Sequence, residues 1–430
     1  MIRRRLLVVS YFYPPFSSVG AGRVSKMTKY LADYGWDATV LTIDHDDRPA
    51  NMDVEIPAAS IHRVPQVFDV LTLPRTFIGR SSVPQRRFVP SNSRASNLVW
   101  RLGMVYRNVV CFPDPQIGWF KPAVREGLRI IKDIRPDAIL TSSSPTTCHL
   151  IGASLTKQTG VPWVAEFRDL WTDNHNFRRT PPLRAVERWL ERRTLAGARA
   201  FVTVSDVWAD NLARRFGKPA HVVPNGFDPT DYPDTSSPPS CTFSLVYTGM
   251  FYNGKQNAAP IIEAIAVLSR DGVITPETFQ LRLVGHYLEP IAAAAEKAGV
   301  GRFIDMRTPV PYRESLGIQR GATALLFLDW SDGKEKGWYS AKIYEYLGAE
   351  RPILSVGPRN SVVAALLDRT RAGIAGETAA DIRQTLEAWL QEFRATGSVK
   401  SNSDPGALVA FQRQTAAEQM AAILNGYVNA

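Results

Sequence analysis

Short apolar runs alternate with helix-patterned segments along most of the chain, and this alternation limits the possible fold more than any other feature. The apolar runs at 6–10, 38–42 and 138–141 are typical. Such alternation is the signature of βαβ units that build parallel sheets. The chain has 430 residues, of which 45% are hydrophobic, so two or three domains can each bury a core. The sequence therefore predicts an α/β protein.

The predicted strands follow the apolar runs and the predicted helices follow the segments of helical period. The predicted strands are 6–10, 38–42, 61–64, 138–141, 163–167, 200–204, 221–223, 243–247, 281–284, 303–306, 324–328 and 353–356. The predicted helices are 21–34, 97–107, 123–134, 147–159, 183–196, 207–216, 258–270, 289–298, 312–319, 341–347, 379–394 and 407–424. The segment 67–94 has no clear period, and we expect an insertion loop there.

A break in the alternation predicts a domain junction. The turn sequence Pro224-Asn225-Gly226 precedes a proline-rich polar stretch at 232–239. We therefore expect domains at 1–225 and 226–406, with a closing helix in 407–430 that packs back on the N-terminal domain. Two Rossmann-like parallel-sheet domains of this kind face a central cleft, and their ligands bind at the carboxyl ends of the strands.

Charge is divided unequally between these halves. Residues 1–225 hold 32 basic and 19 acidic residues, a net charge of +13, whereas residues 226–430 hold 19 and 22, a net charge of −3. A basic half favours an anionic partner, such as a membrane surface or a phosphorylated substrate; a solvated surface rich in arginine is the alternative. Arginines at 178–193 alternate with Leu183, Val186 and Trp189, a pattern typical of an amphipathic helix with a basic face.

The cysteines and the N-terminus bear on the compartment. Cys111, Cys148 and Cys241 form neither a disulfide framework nor a paired metal site, which fits a reducing compartment. The basic start resembles a signal peptide, but its apolar run is too short before Pro14-Pro15, and a buried first strand explains it better. We expect a cytoplasmic protein, either free or peripheral on the inner face of the membrane.

Two motifs in the second half suggest a diphosphate site. Gly249 to Gly254, followed by Lys255, nearly matches a triphosphatase phosphate loop, but Gln256 replaces the hydroxyl residue that holds magnesium. A glycine loop with a lysine at a helix start can clamp a diphosphate without metal. Lys342 and Glu345 share one helix face because they are three residues apart. The alternatives are a surface lysine and a surface ion pair.

Two further motifs lie in the first half. Gly20 and Gly22 lead into a helix whose N-terminus offers N–H groups to phosphate; a plain turn into a helix is the alternative. A dinucleotide fingerprint is disfavoured because Ser25 takes the place of the third glycine. Arg168 and Asp169 leave a predicted strand together and could bind an acceptor or the transferred phosphate; a structural salt bridge is the alternative. Asp44-His45-Asp46 weakly suggests a metal, and we expect none.

The order and spacing of these pieces resemble family 4 glycosyltransferases of the GT-B fold from bacterial envelope and polysaccharide pathways. The resembling segments are 11–23, 112–119, 141–145, 162–171, 224–226, 247–255 and 342–347. The resemblance implies a nucleotide-sugar donor bound by the C-terminal domain and a glycan or lipid-linked acceptor bound by the N-terminal domain. It also implies transfer of a hexosyl-type sugar with retention of anomeric configuration, without metal or other cofactor.

The resemblance also implies roles for individual residues. Lys255 would contact the donor diphosphate and Glu345 the ribose. The loop at Gly285-His286 and the backbone near Val310-Pro311 would border the base, and Gly20 and Gly22 would approach the sugar or its phosphate. Many members carry a second glutamate seven residues before the one at 345, where this chain has Gly337, with Glu335 two positions away. The identity of the sugar is therefore not predicted.

Three other classes of function are open to a chain of this pattern. A sugar-nucleotide epimerase shares the predicted architecture. A nucleic-acid binder would use the basic half, although no aromatic-interleaved basic motif is present, and we expect no nucleic-acid partner. A triphosphatase is disfavoured by Gln256.

Overall fold

The computed structural model describes residues 3–16, 18–44, 50–67, 112–174, 179–233, 241–330 and 339–428. The chain divides into two compact units. The N-terminal unit comprises Met1–Val223 together with Ala417–Ala430, and the C-terminal unit comprises Pro224–Ala416. Each unit contains a parallel sheet flanked by helices, as the alternation predicts.

The sheet of the N-terminal unit has seven strands in the order β3-β2-β1-β4-β5-β6-β7, and all its pairings are parallel. Its strands are β1 Arg4–Ser10, β2 Trp36–Ile43, β3 Ile61–Val64, β4 Ala138–Ser143, β5 Trp163–Phe167, β6 Ala200–Thr203 and β7 Ala220–Val222. Its α-helices are α1 Val19–Leu31, α2 Phe120–Ile134, α3 Thr147–Thr159, α4 Pro181–Leu195 and α5 Asp206–Phe216.

The sheet of the C-terminal unit has six strands in the order β10-β9-β8-β11-β12-β13, again all parallel. Its strands are β8 Phe243–Met250, β9 Phe279–His286, β10 Ile304–Arg307, β11 Ala324–Leu328, β12 Ile353–Val356 and β13 Gly373–Gly376. The helices that follow are α6 Ala259–Arg270, α7 Glu289–Lys297, α8 Tyr312–Arg320, α9 Ala341–Ala349, α10 Val362–Thr370, α11 Ala379–Thr396, α12 Pro405–Val409 and α13 Arg413–Val428.

Burial explains why the central strands are apolar along their whole length. Residues Leu6 to Val9 of β1 are fully buried, because helices cover both faces of a parallel sheet. In the C-terminal unit one apolar cluster includes Leu245, and a second includes Val246, its neighbour on β8. Successive side chains of a strand point to opposite faces, so these clusters are the two cores on either side of the sheet.

Strand order reverses once in each sheet, between β1 and β4 and between β8 and β11. The loops that leave neighbouring strands at such a point diverge to opposite faces and leave a crevice at the carboxyl edge, where ligands of open α/β sheets bind. Both edges carry residues that the sequence singles out.

One predicted element is wrong, and two elements of the structure were not predicted. The closing helix predicted over 407–424 is wrong as a single helix, since α12 and α13 are separate. Hydrogen bonds with Phe227 divide them: the Phe227 amide donates to the Phe411 carbonyl, and the Arg413 amide donates to the Phe227 carbonyl. Strand β13 and helix α10 were not predicted; β13 is a four-residue edge strand with glycine at both ends. The predicted helix 97–107 and most of the predicted loop 67–94 lie outside the described residues.

Candidate functional site

Two glycines meet at the carboxyl edge of the C-terminal sheet. Gly249 of β8 pairs with Gly285 of β9, and both have positive φ, 101° and 151°. A Cβ placed on Gly285 would lie 1.9 Å from the carbonyl oxygen of Gly249, a distance that real atoms do not reach. Only glycine fits this position, and the two strands therefore end in bare backbone.

The side chain of Lys342 covers this bare backbone. Its Nζ lies 3.8 Å from the centroid of the Tyr247 ring, and its Cε lies 3.0 Å from where a Cβ of Gly249 would be. Burial lowers the pKa of the Lys342 ammonium to about 7, and the nearby Glu345 opposes this shift. A half-buried cation has lost many of the water molecules that would bind it. An anionic ligand can supply hydrogen-bond acceptors in their place.

Glu345 lies one turn further along α9 and is held by the neighbouring helix α8. Its Oε2 accepts a hydrogen bond from Nε2 of Gln319 at 3.3 Å, and its backbone carbonyl accepts one from the hydroxyl of Tyr232 at 2.6 Å. Burial raises the pKa of the Glu345 carboxyl, while Gln319 and Lys342 oppose that shift. The structure thus brings Lys342 and Glu345 together on one helix face, as their spacing predicts.

Gln319 and Tyr247 are neighbours that the sequence analysis did not identify. Gln319 is fully buried, and its Nε2 also donates to Oγ1 of Thr248 at 3.0 Å. Tyr247 lies under Lys342 and donates its hydroxyl to the carbonyl of Met250 at 2.7 Å. Both residues come from elements far from α9 in sequence, so no spacing rule links them to Lys342 or Glu345.

The loop after β8 differs from a triphosphatase phosphate loop. Lys255 lies in a turn, and α6 begins at Ala259, one residue after the predicted start at 258, so the lysine precedes the helix by four residues. Gln256 explains the difference, because its Nε2 donates to the carbonyl of Leu328 at 2.6 Å and its Oε1 accepts from the amide of Tyr252 at 2.9 Å. These bonds hold the turn against the end of β11, and the helix begins only after the turn.

Lys255 itself lies beside an aromatic ring. Its Nζ is 4.0 Å from the centroid of the Trp330 ring, and Trp330 lies two residues after the end of β11. Gly254, with φ of 80°, provides the left-handed residue of the turn. Lys255 thus lies in the loop after β8 and Lys342 at the start of α9, each against an aromatic side chain.

The two remaining predicted positions of this unit belong to β9 and to the segment after β10. Gly285 ends β9 together with the exposed His286. Val310 is half-buried in the segment between β10 and α8. The C-terminal residues that we predicted to bind substrate therefore lie at the ends of parallel strands of one sheet or in the segments that follow those strands. Glu335 and Gly337 lie outside the described residues.

Arg168 and Gly20 are in direct contact in the N-terminal unit. Arg168 follows β5 and donates from Nε to the carbonyl of Ser143 at 2.9 Å and from Nη2 to that of Ser144 at 2.5 Å. A Cβ on Gly20 would lie 1.5 Å from Nη1 of Arg168. Gly20 is therefore required to admit the guanidinium, whose Nη1 donates to no described residue.

Helix α1 begins at Val19, two residues before the predicted start at 21, so Gly20 and Gly22 both lie in its first turn. The side chain of Ser18 caps this helix by accepting a hydrogen bond from the amide of Ala21 at 3.0 Å. Gly22 has room for a side chain, with Cε of Met52 at an ordinary 3.4 Å from its Cβ position. Of the two glycines, only Gly20 is sterically required.

Asp169 and Glu166 flank Arg168 and have different surroundings. The Asp169 carboxylate accepts no hydrogen bond from any described residue, and burial raises its pKa, with Arg168 opposing. Glu166 is buried and receives Nε and Nη2 of Arg23 at 3.0 and 2.9 Å and the hydroxyl of Ser142 at 2.5 Å. Burial would raise the pKa of Glu166, but Arg23 and Ser142 hold it below its ordinary value.

Asp114 fixes the loop that Arg168 contacts. Its Oδ2 accepts from the amide of Thr147 and the hydroxyl of Thr146, both at 2.7 Å, and its Oδ1 accepts from the hydroxyl of Thr147 at 2.7 Å. Asp114 lies in the segment 112–119 that resembles the family, but no role was predicted for it. Of the weak metal motif, His45 and Asp46 lie outside the described residues.

Family and fold comparisons agree with this architecture. Residues 20–226 match the family model described as a glycosyl transferase 4-like domain. No curated protein matches the sequence. No helix in the described ranges combines the length and hydrophobicity needed to cross a bilayer.

Solved structures resemble the whole chain at low identity. HepE from Anabaena, solved with UDP and glucose, is 12% identical with a TM-score of 0.61, covering 99% of this chain and 100% of that one. Sucrose-phosphate synthase from Thermosynechococcus elongatus is 12% identical with a TM-score of 0.62, covering 99% of both chains. A glycosyltransferase from Rickettsia africae is 13% identical with a TM-score of 0.59, covering 100% and 99%. The fold is GT-B, with two Rossmann-like parallel-sheet units.

Proposed function

We propose that this chain, whose residues 20–226 form a glycosyl transferase 4-like domain, transfers a sugar from a nucleoside-diphosphate sugar to a hydroxyl acceptor. The C-terminal unit binds the donor and the N-terminal unit binds the acceptor. The transferred group is a hexosyl-type sugar, transfer retains the anomeric configuration, and no metal or other cofactor takes part. The acceptor is a glycan or a lipid-linked or phosphorylated molecule of polysaccharide or cell-envelope synthesis, and the enzyme works on the cytoplasmic side.

The position of Lys342 carries the donor assignment. Its ammonium lies on the Tyr247 ring beside the bare backbone of Gly249, at the point where the strand order reverses. A diphosphate placed there meets a desolvated cation with no side chain of residue 249 in the way. The complexes of HepE with UDP and with UDP-glucose support a nucleotide sugar as the ligand of this fold.

Departure of a nucleoside diphosphate builds negative charge on its outer oxygens. Lys342 and Lys255 supply positive charge at neighbouring strand ends, and this is the stabilisation that the transition state requires. Glu345 accepts hydrogen bonds from ribose hydroxyls. Gly285, Gly254 and Val310 border the nucleotide with backbone. Cationic side chains thus take the place that a divalent metal has in other transferases.

The N-terminal residues act on the acceptor. Nη1 of Arg168, beside Gly20 and Gly22, binds an anionic group of the acceptor or the departing phosphate. The Asp169 carboxylate accepts a hydrogen bond from a non-reacting hydroxyl of the acceptor, whose reacting hydroxyl attacks from the face that the diphosphate leaves. The departing phosphate takes the hydroxyl proton, so the reaction needs no carboxylate nucleophile.

A thermal-shift screen against nucleoside-diphosphate sugars tests the donor assignment. A donor at a hundred times its Kd stabilises the folded protein by about 2.7 kcal/mol, so the correct nucleotide sugar raises the melting temperature by several degrees. Lys342→Ala and Glu345→Gln should lose most of this shift. Lys297→Ala, which removes an exposed lysine of α7, is the matched control and should keep it.

Release of nucleoside diphosphate then tests catalysis. Lys255→Ala should lower turnover by orders of magnitude while its circular dichroism spectrum stays that of the wild type. Near wild-type turnover in this variant would remove Lys255 from the mechanism. Conversion of the donor sugar without any acceptor would instead identify an epimerase.

A further inference from the structure

The acidic residues of helix α4 are buried within the N-terminal unit. Glu187 and Glu191 are 7% and 0% exposed. Glu187 accepts from Nε of Arg179 at 3.1 Å, and Glu191 accepts from Nη2 of Arg215 at 2.5 Å and from the hydroxyl of Thr172 at 2.5 Å. Both carboxylates of the helix are therefore neutralised by partners from other segments and contribute little to its outer surface.

The outer side of α4 carries large apolar residues. Val186 and Trp189 are 50% and 59% exposed, although Leu195 of the same helix is buried. The guanidinium of Arg193 lies 5.5 Å from the centroid of the Trp189 ring. A surface helix ordinarily turns such residues toward the core and its carboxylates toward water. Here the arrangement is reversed.

The charge on this outer side is positive. Arg188, Arg192 and Arg193 are exposed, and Arg184 and Arg188 lie 3.4 and 3.8 Å from Asp173. In the parts of the chain that the structure describes, no carboxylate pairs with Arg192 or Arg193. Two arginines next to an exposed tryptophan therefore keep their full charge.

A groove runs between α4 and α3 next to these residues. Its volume is about 510 Å³, and its lining includes Leu150, Ala153, Lys157, Leu190 and Arg193. Aliphatic side chains from both helices face it, and Lys157 and Arg193 place one cation on each helix beside it. The groove thus joins an apolar interior to positive charge.

We propose that the outer face of α4, with the groove beside it, docks on an anionic lipid bilayer. Arg192, Arg193 and Lys157 bind headgroup phosphates, Trp189 and Val186 enter the interface, and the groove receives part of an acyl chain. Tryptophan prefers this interfacial layer because one end of its ring is apolar and the other is polar. The proposal concerns binding alone and does not rest on the proposed glycosyl transfer.

Vesicle flotation with matched charge reversals tests this face. The full-length protein should float with vesicles of equal parts phosphatidylcholine and phosphatidylglycerol, and remain at the bottom with phosphatidylcholine alone. Arg192→Glu/Arg193→Glu should weaken binding to the anionic vesicles by at least about tenfold. Lys121→Glu/Arg125→Glu makes the same change in net charge at exposed positions of α2 and should leave binding unchanged.

Quenching by brominated lipid tests the insertion of Trp189 separately. Brominated phosphatidylcholine in the anionic vesicles should quench part of the tryptophan emission of the wild type, and Trp189→Phe should abolish that part. The proposal is overturned if the wild type does not float, if the two double reversals weaken binding equally, or if Trp189→Phe leaves the quenching unchanged. It is also overturned if RNA at neutral pH competes for the protein as effectively as vesicles that carry the same total charge.

Discussion

The charge of Lys342 should make the proposed binding of the donor depend on pH. With its pKa near 7, the side chain loses its proton in the neutral range, and a neutral amine attracts a diphosphate weakly. Burial raises the pKa of the Glu345 carboxyl, and the ionised carboxylate favours the protonated form of Lys342. The affinity for the donor should therefore fall as pH rises through neutrality.

The size of this effect follows from the titration of one group. Between about pH 6 and about pH 8 the protonated fraction of a group with pKa 7 falls about tenfold, and the donor affinity should fall similarly. A nucleotide sugar serves as the ligand because both of its phosphates are diesters and keep their charge. Calorimetry on Lys342→Arg should give a flat profile, since guanidinium stays charged. A pH-dependent profile in that variant would assign the effect to another group.

Gln319 is a positioning residue for Glu345. Its Nε2 is the side-chain donor that the structure gives to the carboxylate, and it is fully buried. Gln319→Met should raise the Kd for the donor by about tenfold, as expected for the loss of one hydrogen bond to a charged group. In a double-mutant cycle with Glu345→Gln the losses should not add, because both act through one contact. Additive losses would show that Gln319 and Glu345 act on donor binding independently.

At the residue scale, the charged residues Lys342 and Glu345 could be predicted from the sequence, but the side chains that contact them could not. The spacing of Lys342 and Glu345 places them on one helix face whatever the rest of the fold does. Tyr247 and Gln319 reach them from β8 and α8, and such contacts depend on how elements pack. The pKa shifts have the same origin, because burial causes them.

The contact between α1 and the residue after β5 belongs to the scale of elements. Gly20→Ala places a Cβ about where Nη1 of Arg168 lies, so the guanidinium must leave the carbonyls of Ser143 and Ser144. Turnover in Gly20→Ala should fall by at least about tenfold, as expected from a misplaced binding group. Gly22→Ala, whose Cβ meets only ordinary contacts, should keep its turnover. Equal turnover in the two variants would show that the position of Arg168 is unimportant.

Element prediction succeeded where the local signal was strong. The strands at 61–64, 163–167, 324–328 and 353–356 and the helix at 147–159 have the predicted bounds, since each is an apolar or periodic run between clear boundaries. The closing helix failed because the Phe227 backbone, far away in sequence, takes the hydrogen bonds that would have continued it. The start of α6 lies within one residue of its predicted position, but Lys255 is four residues before it because Gln256 binds the end of β11.

At the scale of the whole molecule, the N-terminal unit includes residues from both ends of the chain. The hydroxyl of Tyr427 lies 2.8 Å from Nε2 of His221, and Oδ1 of Asn425 accepts from Arg4 at 2.7 Å. Leu424 is fully buried. The last turns of α13 are therefore part of the packing of this unit.

Truncation of Leu424 tests that packing. Leu424→Ala should lower the free energy of unfolding by about 2–5 kcal/mol, the usual cost of a cavity in a core. Glu418→Ala, on the exposed side of the same helix, should change it by less than about 0.5 kcal/mol. Urea unfolding followed by tryptophan emission measures both. Equal stabilities of the two variants would mean that the terminal helix contributes nothing to the unit.

Whether the edge of the C-terminal sheet holds the diphosphate of a sugar donor is measured most directly by calorimetric titration. Wild type, Lys342→Ala and Lys297→Ala are titrated with the nucleotide sugar that raises the melting temperature most. We expect Lys342→Ala to bind at least about tenfold more weakly, the loss of a charge-assisted contact, and Lys297→Ala to bind as the wild type does. Equal affinity of Lys342→Ala and wild type, or no nucleotide sugar bound by the folded wild type, would contradict the account.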